Sequence, residues 1–128
     1  MTFYLSKILS IGFDTAIERV VAALKEEGFG ILTDIDVRET MKKKLDIDFR
    51  HYRILGACNP ALAHQALQAE DKIGTMLPCN VIVQDLGGGR IEVATIDPVS
   101  AMERVGNARL SELARSVREK LAAVLARL

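Results

Sequence analysis

Two Cys-Asn dipeptides, Cys58-Asn59 and Cys79-Asn80, hold both cysteines of this 128-residue chain and are its only concentrated hint of chemistry. Asn59-Pro60 reads as a helix start, with Asn as the N-cap and Pro as the first helical residue. Cys58 therefore sits just ahead of a helix N-terminus, where free N–H groups and the positive end of the helix dipole favour a thiolate. Such a sulfur can serve as nucleophile, redox group or metal ligand. Cys79 follows a proline that holds the chain extended and precedes the apolar run Val81-Ile82-Val83. The candidate catalytic residues are thus Cys58 and Cys79. The candidate ligand-binding set adds Asn59 and Asn80, whose amides can donate to an oxyanion or a ligand carboxylate. Plainer roles compete: a small buried residue for each cysteine and a helix cap for Asn59. With His64, the two cysteines match a three-ligand zinc set by type, although their spacing fits no tight ligand motif. No residue pattern names a cofactor.

Other motifs have structural explanations. Gly87-Gly88-Gly89 joins two strand-like runs and lacks the following Lys-Ser/Thr of a phosphate loop, so it reads as a hairpin turn. Lys42-Lys43-Lys44 ends a helix, where positive charge complements the dipole. Asp34, Asp36, Asp46 and Asp48 are dispersed without a spacing that forces a pair together, and His51 reads as a surface residue.

The elements that must position the cysteines follow from periodicity and caps. Phe3, Leu5, Leu9 and Ile11 alternate as a half-buried first strand, broken by Lys7. A capping box, Thr15 to Glu18, opens a helix closed by Gly28. Residues 29–35 form a second strand, and Asp36 with Glu39 caps a helix to about Lys44. Residues 51–57 are a third strand, followed by a helix from Pro60 to about Glu70 and a short helical turn over 71–76. Strands over 81–86 and 91–96 make the hairpin, and Asp97-Pro98 caps a short helix to about Val105. Asn107 opens a last helix whose stripe runs from Leu110 through Val117 to Leu128.

Whether the two thiols meet depends on strand direction. If strands 51–57 and 81–86 are antiparallel, both dipeptides lie at one sheet edge and can face one pocket; if they form a β-α-β crossover, the thiols lie at opposite ends. The segment from Asp71 to Pro78 gives the chain room to return, which favours the first arrangement.

Composition sets the class. Hydrophobic residues are 49% and charged residues 27% of the chain. That balance is the one of an ordinary globular protein, and the length suits a single domain over 1–128. No run approaches the ~18 apolar residues of a bilayer span. The N-terminus lacks the pattern of an export signal, so the expected compartment is the cytoplasm, with both thiols free. Seventeen basic residues balance seventeen acidic ones, leaving no broad positive field for nucleic acid. The expected partners are a small-molecule ligand and a second copy of the chain, docked on the last helix's stripe if that stripe exceeds what the sheet can cover.

The stretch Ile54-Leu-Gly-Ala-Cys-Asn-Pro60, followed by Leu77-Pro-Cys-Asn-Val81, resembles the bacterial and archaeal family known as domain of unknown function 302. The likeness extends from Gly12-Phe13 to Ile96-Asp97-Pro98. It implies a two-layer α+β domain with two matching cysteine motifs and attaches no activity to them. The expected fold is therefore α+β, a mostly antiparallel sheet of about five strands with helices on one face. The expected function is binding of a small molecule or cofactor, with Cys58 as a reactive thiol. A non-enzymatic homodimeric binding or regulatory module is one alternative, and metal binding through Cys58, Cys79 and His64 is another.

Overall fold

The structure, a computed structural model, describes residues 2–128. The chain order is β1 (Tyr4–Leu9), α1 (Phe13–Glu26), β2 (Gly30–Asp36), α2 (Val37–Leu45), β3 (Tyr52–Cys58) and α3 (Pro60–Ala69). A 3-10 helix (Asp71–Met76), β4 (Cys79–Gly87), β5 (Arg90–Ile96), α4 (Pro98–Met102), a 3-10 turn (Glu103–Val105) and α5 (Ala108–Ala126) complete it. The strands form one antiparallel sheet in the order β1-β5-β4-β3-β2. This is the expected two-layer α+β architecture.

Strand alternation sends Leu55, Val81, Val83, Ile91 and Val93 to one face, where α1 and α5 cover them with Val20, Leu24, Leu121 and Val124. A second, smaller cluster joins Ala66, Ile73, Met102, Leu110 and Ala114 beyond the sheet's edge. The stripe of α5 serves both clusters, and Leu110, Ala114, Leu121, Val124 and Leu125 are all buried. Most of the stripe is thus packed within the chain. Its N-terminal part packs against α3 and α4.

Lys7, the break in the first strand's alternation, does point inward: it is the register partner of buried Val93. Its Nζ donates to the carbonyls of Leu125 (3.2 Å) and Leu128 (2.6 Å). The charge thereby complements the C-terminal, negative end of α5. The start of α1 also departs from expectation. The helix begins at Phe13 with Gly12 as N-cap and no side-chain cap, placing the Thr15-to-Glu18 box inside its first turns. Half-buried Phe13 packs on the core and draws the start forward.

Asp97 ties the sheet to both later helices. Its side chain, 7% exposed, accepts from the backbone N–H of Val99 (3.0 Å) and Ser100 (3.4 Å) through one oxygen and from Arg118 Nε (3.1 Å) through the other. Asp97→Ala loses the cap and the ion pair together, with an expected cost of about 2–3 kcal/mol in urea denaturation at pH 7. Asp97→Asn keeps the cap and should cost about 1 kcal/mol. Equal losses in the two variants would contradict this division of labour.

Candidate functional site

Cys58 ends β3 and Cys79 begins β4. The strands are antiparallel neighbours, with Ala57 opposite Cys79 and Gly56 opposite Asn80. The chain leaves the sheet at Cys58, runs through α3 and the 3-10 helix, and re-enters at Cys79. The two cysteines therefore lie at the same end of two neighbouring strands, the edge of the sheet that the antiparallel alternative requires.

Two close approaches hold this edge together. Gly56 is buried in the middle of β3, and a Cβ added there would stand 2.2 Å from Thr33 Oγ1 and 2.8 Å from Pro78 Cγ. The missing side chain lets the Pro78 ring, immediately before Cys79, lie against β3. Gly28 ends α1 with φ +86°, and a Cβ on it would meet Asn59 Nδ2 at 3.0 Å. Asn59 therefore packs its amide over Gly28 while its Oδ1 accepts from Leu62 N–H (3.3 Å) as the N-cap of α3. Capping of α3, one of the roles open to Asn59, is realised.

Between this edge, α3 and α5 lies a cavity of about 330 Å³. Ala57, Cys58, Asn59 and Cys79 form its sheet-side wall, Ala63 and Ala66 its α3 wall, and Leu113 and Val117 its α5 wall. No side chain lining it carries a formal charge. Exposed Leu32 and Leu67 also line it. Both thiols are free and half-buried. Burial pushes the Cys79 thiol up to about 11, with a smaller contribution from Cys58 beside it. Cys79 therefore stays a neutral thiol at physiological pH.

The structure does not bring all the expected residues together. Asn80 is exposed and points to the other side of the sheet, beside Ile82 and Gln84 in a shallow groove. This follows from β4 beginning at Cys79 rather than Val81, because consecutive strand residues point to opposite faces. Two cysteines and one asparagine thus share the cavity, not two complete dipeptides. His64 is exposed and does not line the cavity, because α3 turns Leu62, Ala63 and Ala66 inward instead. Among the described residues, no group of three or more His, Cys, Asp or Glu is placed to hold a metal ion.

The expectation also missed the walls supplied by Met102, Leu113 and Val117. Leu113 and Val117 did belong to the stripe of the last helix, but nothing in the stripe marked which of its members leave the core to face a cavity.

Among the described residues, no helix is long and apolar enough to cross a membrane. No curated protein matches the chain. A solved structure, that of an uncharacterized conserved protein DUF302 from Bacillus stearothermophilus, superimposes with a TM-score of 0.92 at 31% sequence identity, over 99% of this chain and 98% of that one. The model of the family described as "Domain of unknown function DUF302" matches residues 5–128. With fold and family model in agreement over nearly all of its length, the chain belongs to the DUF302 family.

Proposed function

We propose that the cavity under α3 binds a small, uncharged and largely apolar molecule, and that Cys58 is the group that reacts with it or grips it. The observation that carries this reading is the lining: about 330 Å³ walled by apolar side chains and bounded by two thiols and an amide, with no charged residue. Pockets of roughly 300–1,000 Å³ with a few polar groups are the usual form of a small-molecule site. A phosphate or carboxylate would find no cation there to offset the cost of leaving water.

The two sulfurs have different roles in this reading. Cys79, held neutral, contributes a soft, polarizable wall. Cys58 stands immediately before the N-cap of α3 and lines the cavity, so its sulfur is placed to meet a bound molecule. Asn59 Oδ1 is engaged in capping, which leaves its Nδ2 as the donor available to a ligand carbonyl. Retention of both thiols in the free state suits a reducing compartment such as the cytoplasm.

A neutral fluorescent naphthylamine, N-phenyl-1-naphthylamine, tests the cavity. It should bind the native protein one to one with enhanced emission. Ala63→Trp, which fills the space from the α3 wall, should weaken binding at least tenfold without loss of helical circular dichroism. Prior alkylation of Cys58 should have the same effect. Equal binding to the wild type and to folded Ala63→Trp protein would place the probe elsewhere and sink the reading.

A further inference from the structure

The helices cover one face of the sheet, and the register shows what lies on the other. One row across the strands runs Ser6, Ala94, Ile82, Ile54 and Ile35. The next runs Ile8, Glu92, Gln84 and Tyr52. Tyr4 (40% exposed), Ile8 (46%) and Ile35 (47%) are open to solvent, while Ile54, Ile82 and Ile96 are half-buried. A shallow groove of about 360 Å³ runs between Tyr4, Tyr52 and Ile82. An antiparallel sheet with a solvated face ordinarily carries polar residues there, so isoleucines on all five strands call for a cover.

We infer that a second copy of this chain covers this face, sheet against sheet, in a symmetric dimer. This goes beyond the ligand reading and is independent of it, since the cavity lies on the helix side. Three observations select a second copy as the occupant. The first is size. Five strands about 4.8 Å apart and about 20 Å long outline roughly 500 Å² before side-chain relief is counted, within reach of the roughly 600–1,000 Å² per partner of a standard interface.

The second is charge. Glu92 is the one formally charged side chain in the two rows, and it lies in a ladder: Arg50 Nε donates to Gln84 Oε1 (2.8 Å), and Gln84 Nε2 donates to Glu92 Oε1 (2.7 Å). A two-fold axis crossing that ladder at Gln84, in the plane of the interface, sets Arg50 of each copy opposite Glu92 of the other. The face is self-complementary in this way, as an isologous contact must be. The third is the equal number of acidic and basic residues, which removes net repulsion between copies. An anionic membrane or a nucleic acid would instead call for several Lys and Arg on the face, and the two rows contain none.

Sedimentation equilibrium at roughly 100 µM, where a Kd in the micromolar range gives mostly dimer, tests the inference. The wild type should behave as a particle of twice 14.1 kDa. Ile82→Glu, at the centre, and Ile8→Glu, at a position already open to solvent in one copy, should each weaken association at least tenfold with unchanged circular dichroism. Glu92→Arg should weaken it too, and adding Arg50→Glu should restore it. A wild type at 14.1 kDa overturns the inference, whether or not it co-sediments with phosphatidylglycerol vesicles. So does Ile8→Glu protein that is folded and associates with the wild-type Kd.

Discussion

Gly56→Ala should lower the stability of this protein by about 3 kcal/mol, equivalent to a fall in Tm of roughly 10 °C for a chain of this size. One methyl group is rarely so costly. Here it would stand 2.2 Å from Thr33 Oγ1 and 2.8 Å from Pro78 Cγ, both inside the distance that real Cβ atoms keep. The two neighbours yield differently. Thr33 is exposed and can rotate its hydroxyl away, whereas the Pro78 ring is fixed to the backbone that leads into β4. Removing the hydroxyl with Thr33→Ala should therefore recover only part of the loss. The cycle of Gly56→Ala, Thr33→Ala and the double variant, followed by urea denaturation, measures that fraction. Full recovery would show that Pro78 moves freely. A loss under about 0.5 kcal/mol would show that β3 can shift as a whole, and that the close approach does not hold the edge on which Cys58 and Cys79 sit.

The second large effect concerns the two thiols. The Cys79 thiol is pushed from an ordinary 9.0 up to about 11, so at pH 8 its reactive thiolate is scarcer by roughly two orders of magnitude. Cys79 should therefore alkylate about a hundredfold more slowly than an ordinary thiol. Iodoacetamide on the native protein, read by peptide mass mapping, should modify Cys58 and leave Cys79 intact; in urea both should react. In Cys58→Ala the charge contribution disappears but burial, the larger cause, remains, so Cys79 should stay protected. Labelling of native Cys79 at the unfolded rate would refute the assignment.

The same shift has a consequence for stability, and its sign is fixed. Between about pH 9 and pH 11 the unfolded thiol loses its proton while the folded one keeps it, so unfolding releases a proton and stability falls as pH rises. Cys79→Ala should flatten that part of the profile.

The order of elements was legible because helix starts carry strong local chemistry. Asn59-Pro60, Asp97-Pro98 and Asn107 each cap the helix they announce, through side-chain oxygens that accept the first free N–H groups. The hairpin at Gly87-Gly88-Gly89 was legible for the same reason, since all three residues take positive φ. Residues 79 and 80 were harder to place. An apolar run marks where a strand is buried, not where its hydrogen bonding begins, and β4 pairs with β3 two residues before Val81. That offset decides which face Asn80 takes. The cavity was invisible for a more basic reason: its α5 wall is brought to Cys58 by tertiary packing across more than fifty residues of chain. Gly56 gave no local sign either, because its neighbours Thr33 and Pro78 come from other strands and their flanks.

The path from Cys58 to Cys79 leaves the sheet and returns to it at adjacent register positions. Its two ends are thus held by strand pairing at about 5 Å, whatever lies between them. Lengthening a connection whose ends are already fixed is cheap, about 0.6 kcal/mol for each doubling. The α3 excursion forms one wall of the cavity and the sheet edge the other. Insertions within the excursion can therefore resize the chamber while the sulfurs stay where they are, so this architecture separates the evolution of what is bound from the placement of what binds it.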